Sequence, residues 1–121
     1  PKMAQRSALY ALMHLHDWRE EKKQLMNLRA ESFGQYFQEN NRSRFRLSTL
    51  GPCFAYIRHS EAGETAYEVA KKLALNENLL LLPGSMFGPD QDSFLRIAFA
   101  NVEIERFPEM MTRFENFAPE N

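Results

Sequence analysis

Apolar residues crowd the first sixteen positions on every side of a helical pattern: Met3, Ala4, Ala8, Leu9, Ala11, Leu12, Met13 and Leu15. Such a segment predicts a helix over residues 2–16 that expects burial on several sides rather than one wet face. His14, His16 and Asp17 mark a break, with Asp17 placed to cap the next helix. A second helical pattern runs from Trp18 to Phe37 through Leu25, Leu28, Phe33 and Tyr36, and its intervening Glu20, Glu21, Lys22, Lys23, Gln24 and Arg29 read as solvated. Residues 39–44 read as a polar loop. Phe45–Ser48 and Phe54–Arg58 alternate apolar and polar positions as strands do, with Gly51-Pro52 turning the chain between them. After the loop His59–Gly63, the segment Thr65–Leu75 places Ala66, Val69, Ala70, Leu73 and Ala74 on one helical stripe. The four leucines 79–82 are too few for a helix and predict a strand covered on both faces. A loop rich in Gly and Pro, 83–90, leads to a strand over Phe94–Ala100. The final helix carries Phe107, Met110, Met111, Phe114 and Phe117, with Pro108 tolerated in its first turn.

This order predicts an α/β domain of the α+β two-layer kind. A small mixed sheet has helices packed mainly on one face, preceded by a long N-terminal helical segment. At 121 residues the chain is read as a single domain over 1–121. Its formal charge of −1 gives no overall electrostatic footprint for nucleic acid or membrane. The lone Cys53 excludes an internal disulfide and points to a reducing cytoplasm. No apolar run approaches the roughly 20 residues that span a bilayer. Pro1 stands where an initiator Met would, and the reading is of a piece from a longer polypeptide.

Within the strand 94–100, Arg96 shares its face with Phe94, Ala98 and Ala100. It is a lone charge in an apolar strand, with small neighbours leaving room above the guanidinium. A buried cation needs a partner, and a planar fork matches a carboxylate or phosphate bidentately. Two readings stay open on spacing alone: an Arg that snorkels or pairs with its own chain's acid, and one that receives an external anion. The loop before it, with Gly84 and Gly88 free to take positive φ and Pro83 and Pro89 fixing theirs, has the defined path of loops that line sites. Metal binding by His14, His16 and Asp17, or by His59 with Glu61, lacks a full ligand set. The cluster Arg42, Arg44 and Arg46 reads as a solvated loop and strand edge rather than a nucleic-acid site. Cys53 and Ser85 lack the context of a nucleophile.

Leu82-Pro83-Gly84-Ser85-Met86-Phe87-Gly88 followed by Phe94-Leu95-Arg96-Ile97-Ala98-Phe99-Ala100 resembles the C-terminal signature of class I/II aminotransferases. These are fold type I enzymes that use pyridoxal phosphate (PLP). Gly51-Pro52-Cys53-Phe54 is similar to their Gly-Gly-x-Phe segment, with Pro52 where a second small residue is usual. Residues 2–40 match the stretch that leaves the large domain and enters the small one, so 1–17 is the helix expected to link to the absent large domain.

The resemblance implies that Arg96 binds the substrate α-carboxylate of an amino acid or 2-oxo acid, with Phe54, Ser85 and Phe87 on the substrate side. It also implies that the Schiff-base lysine, the acid at the pyridinium nitrogen and the phosphate cup lie on the large domain. Lys2, Lys22, Lys23, Lys71 and Lys72 match none of these. The chain alone is therefore expected neither to hold PLP nor to turn over substrate, and no metal is expected. Two other classes remain: the aminotransferase-like effector domain of a transcription regulator, and a stand-alone carboxylate-binding module. With residues 2–16 uncovered, self-association through that helix is expected.

Overall fold

The computed structural model describes residues 1–39, 44–60 and 63–117. In chain order they form α1 (Lys2–His14), α2 (His16–Glu39), β1 (Phe45–Leu50), β2 (Phe54–His59), α3 (Ala66–Asn76), β3 (Leu82–Pro83), β4 (Phe94–Ala98) and α4 (Phe107–Asn116). The strands make one sheet in the order β1-β2-β4-β3. The architecture is α+β, as expected, but the sheet is antiparallel at all three pairings rather than mixed. Strand composition carries no direction; the hairpin β1–β2 and the return of β4 between β2 and β3 set it.

Alternation decides which side of the sheet is covered. Ala55, Ile57, Leu95, Ile97 and Phe45 point into the core and are buried. Against them pack Phe33 and Phe37 of α2, Val69 and Leu73 of α3, and Phe107, Met110, Met111 and Phe114 of α4. The rings interlock: Phe33 stacks on Phe99 at 4.6 Å and meets Phe107 edge-on at 5.7 Å, while Phe45 sits 4.9 Å from Phe114. Offset and edge-on contacts of this kind add to the burial of large rings.

Local signals account for the helix limits. Thr65 caps α3: its Oγ1 accepts from the Glu68 amide, and the Glu68 carboxylate accepts from the Thr65 amide at 2.8 Å. This closes a reciprocal capping box. Pro108 lies in the first turn of α4, where its missing N–H costs nothing. Between α1 and α2 the break falls at Leu15, and α2 begins at His16, so Asp17, expected as the cap, lies instead inside the first turn, two residues past the cap position.

Three further expectations are corrected. Leu79–Leu82 is not a strand covered on both faces: Leu79 and Leu81 are buried, but Leu80 is 79% exposed, and the ladder begins only at Leu82. β3 is an edge strand of two residues, and Pro83, which has no N–H to donate, is suited to that edge. The strand carrying Arg96 ends at Ala98, not Ala100. Arg29, read as solvated, is buried. Its guanidinium donates to the Ala100 carbonyl and, at 2.7 Å, to Glu103, tying α2 to the segment after β4.

α1 differs from the other α-helices. It has no buried residue, so the cover that its apolar pattern asks for does not come from the rest of the described chain.

Candidate functional site

The side of the sheet away from the helices carries Arg46 on β1, Phe54, Tyr56 and Arg58 on β2, and Phe94, Arg96 and Ala98 on β4. β4 is an interior strand, so Arg96 stands in the middle of this surface, with Tyr56 opposite it on one side and Leu82 on the other. Two rings hold the guanidinium. Its central carbon lies 3.7 Å from the centroid of Phe87 and 4.6 Å from that of Phe54. Each contact of this type is worth about 0.5–2 kcal/mol, more as water is excluded. Rings on the faces of a guanidinium leave its in-plane N–H groups uncovered, which is the direction from which a carboxylate accepts two parallel bonds.

Among the described residues Arg96 makes no ion pair, and neither do Arg46 or Arg58, so the open face is positive with no acid clasping its central arginine. Of the two readings left open by spacing, the internally paired arginine is not the arrangement found here.

The loop that supplies Phe87 is built for close approach. Gly84 opens a 3₁₀ turn, Gly84–Met86, and the Phe87 amide donates back to the Gly84 carbonyl at 2.8 Å. A Cβ at Gly84 would stand 2.5 Å from the Gln91 carbonyl oxygen and 2.8 Å from that of Phe94. Gly84 is thus required for space rather than for the positive φ the sequence suggested. Gly88 does have a positive φ, of 159°, and Asp90, at φ 57°, is left-handed, a conformation Asp adopts more readily than most residues. Ser85 lies exposed in the turn and forms no hydrogen bond with Arg96 among the described residues. Arg96, Phe54 and Phe87 are therefore brought together, and Ser85 stands apart. Tyr56, missed in the sequence, joins the cluster with its ring 6.4 Å from Phe87. Its signal was present, two residues from Phe54 on the same face.

The other candidates have structural partners or fall outside the described residues. His59 is buried, and its Nε2 donates to the Asp92 carbonyl at 2.9 Å, an oxygen that also accepts from the Ala66 amide. Glu61 and Arg42 lie outside the described residues. Among the described residues no group of three His, Cys, Asp or Glu is placed to hold a metal. None of their helices is long and apolar enough to cross a membrane. A concavity of about 410 Å³ lies by the far end of β4, where Arg106 and Arg113 both bind Glu109, at 3.0 and 2.5 Å. Those two hydrogen-bonded arginines hold the Glu109 carboxyl below the usual carboxylate range. Their charge is already partly answered, which leaves Arg96 the freer cation.

Over 117 residues the chain is 27% identical to "Putative aminotransferase YugH" of Bacillus subtilis (strain 168), covering 97% of this chain and 30% of that protein. Its fold superposes on an aminotransferase from Staphylococcus aureus with a TM-score of 0.71 at 23% identity, over 88% of this chain and 27% of the other. The fold is an aminotransferase's. A PLP-dependent aminotransferase from Streptococcus suis 89-1591 gives a TM-score of 0.66 at 19% identity, over 92% of this chain and 29% of its own. The chain spans less than a third of the length of these aminotransferases. No family model matches the sequence.

PLP in such relatives raises the question of whether these residues fit the cofactor. The five lysines all stand on helices: Lys2, Lys22, Lys23 and Lys71 are exposed, and Lys72 binds Glu64 at 3.2 Å. None projects from the strand face around Arg96. Among the described residues, then, no lysine stands beside the Arg96 cluster in position to hold PLP there.

Proposed function

We propose that this chain acts as the C-terminal small domain of a PLP-dependent aminotransferase of class I/II, fold type I. In that role Arg96 receives the α-carboxylate of the amino acid or 2-oxo acid whose amino group is exchanged. The observation that carries the reading is the Arg96 guanidinium, without an ion-pair partner among the described residues, held within 4.6 Å of the Phe54 ring and 3.7 Å of the Phe87 ring on an open sheet face. Two parallel charge-assisted hydrogen bonds from a fork held by rings select a planar anion over a point charge. The Schiff-base lysine and the phosphate cup belong to residues beyond this chain, so the chain by itself binds carboxylate weakly and exchanges no amino group. A cytoplasmic setting agrees with its single free cysteine, Cys53.

The test is an amide NMR titration of the chain with pyruvate, beside the Arg96→Gln variant. Pyruvate should shift Phe54, Tyr56, Phe87 and Arg96 with an affinity in the millimolar range, as one bidentate pair exposed to water implies. Arg96→Gln should abolish the shifts. Equal shifts in the variant, or shifts confined to other residues, overturn the reading.

A further inference from the structure

Beside the end of β4 the sheet opens into a hollow. Leu82 and Pro83 pair with Arg96 and Leu95; continued, that register would set Leu80 against Ala98, and this pairing is not made. The chain there is committed elsewhere. Asn78 takes a left-handed φ of 53°, which Asn tolerates better than most residues, and the Leu79 amide donates to the Leu73 carbonyl at 3.1 Å. The segment before β3 is thus tied to α3 rather than to β4. Between this segment, the end of β4 and α4 lies the concavity of about 410 Å³, a volume usual for small-molecule sites. Buried Leu79, Ile97 and Met110 give it an apolar wall.

We propose that this hollow is a second binding site, taking a monocarboxylate with an aliphatic body. Arg106, Glu109 and Arg113 line it from α4. Both oxygens of the Glu109 carboxylate are engaged: Oε1 accepts from Arg113 Nη2 at 2.5 Å, and Oε2 accepts from Arg106 Nε and Nη2 at 3.3 and 3.0 Å. Arg113 Nη1 donates to the Asn78 carbonyl at 2.8 Å and so joins α4 to the segment across the hollow. One acid against two arginines leaves a single net positive charge. Arg106 Nη1 has no hydrogen-bond partner among the described residues. One anionic head matches that charge and accepts from that nitrogen. The apolar wall, with Leu80 lining the hollow 79% exposed, suits a hydrocarbon tail, whose removal from water supplies the rest of the affinity. Arg96 does not line this hollow, so the proposal stands apart from the reading of the bare sheet face.

The test is an NMR titration of the chain with octanoate, followed on the methyl resonances of Leu79, Ile97 and Met110. Its roughly ten non-hydrogen atoms imply a dissociation constant in the millimolar range. Octylammonium, the same tail with the opposite head, should bind at least about fivefold more weakly, and acetate should leave these methyls unmoved. Arg106→Gln keeps the Arg113–Glu109 pair but removes the net charge, and should weaken octanoate at least about threefold. Leu80→Asp removes tail contact and adds a like charge, and should weaken it at least about fivefold. Both positions are exposed, so both variants should keep the near-ultraviolet circular dichroism of the parent. On an Arg96→Gln background the octanoate shifts of these methyls should persist, which separates this site from the one that takes pyruvate. Octanoate shifts confined to other residues, octylammonium binding as well as octanoate, or an affinity unchanged in both variants would each overturn the proposal.

Discussion

The two faces of the sheet are made from alternate residues of the same strands, yet one is closed by helices and the other is bare. On the closed face Ile57, Leu95 and Ile97 meet a shell of phenylalanines from α2 and α4. On the bare face Tyr56, Arg96 and Ala98 are their immediate chain neighbours, and the rings there pack against a cation as well as against one another. The difference teaches that aromatic residues serve two tasks in this small chain. Where helices cover them they supply stability; where nothing covers them they hold a charge in a fixed orientation. Substitutions on the two faces should therefore fall into separate classes, one moving stability and the other moving ligand binding.

The largest effect is expected on the closed face. Phe107 is fully buried and touches both Phe33 and Tyr36. Phe107→Ala should cost about 3–5 kcal/mol by lost burial and the cavity left behind. Urea unfolding checks this, and a loss under about 1 kcal/mol would break the contrast between the faces.

Next comes the buried cation, a polar exception on the covered side. Arg29→Ala removes the donors to Ala100 and Glu103 and should cost about 2 kcal/mol, since hydrogen bonds from charged groups are worth more than neutral ones. Measured with Glu103→Ala in a double-mutant cycle, the coupling should be a minor part of the loss, because Glu103 itself is exposed.

These residues also show what was readable from sequence. α3 and α4 were legible to within a residue or two, because each carries a single apolar stripe and a local start signal: the Thr65–Glu68 box in one, Pro108 in the other. Arg29 was misread because residue type outweighed position; it lies four and eight residues before Phe33 and Phe37, on their own stripe. The leucine run 79–82 misled because four identical residues contain no periodicity, whereas burial alternates along the segment that leads into β3. At the site, Arg96 was legible as a charge among small residues. The stack that holds it was not, because the placing of Phe54 and Phe87 against it depends on strand register and a loop path that spacing does not encode.

A smaller effect is expected at the start of α3. Thr65→Ala should cost about 1 kcal/mol by removing the cap. The Thr65 amide and hydroxyl, which donate to the Glu68 carboxylate, hold its pKa below the ordinary value, so the same substitution should raise it, as a carboxyl-resonance titration would report. A lowered folded-state pKa gives stability that is present above the ordinary carboxylate value and lost as pH falls through the depressed one. The acid limb of the stability profile should therefore be shallower in the variant than in the parent.

The smallest change in stability should come from the residue that matters most for binding. Among the described residues Arg96 makes no ion pair, and it is only partly buried; replacing it with Gln removes a cation held by two rings but leaves no buried acid orphaned and opens no cavity in the core. Arg96→Gln should shift unfolding by no more than about 0.5 kcal/mol while carboxylate binding disappears. Phe87→Leu separates the two roles further. It keeps an apolar neighbour but loses the ring face, so the fork gains freedom, and pyruvate affinity should fall by about three- to tenfold with the fold intact. If Arg96→Gln instead cost as much as Phe107→Ala, the bare face would be a second core whose cover is missing, and the stacked arginine would be a strut rather than a receptor.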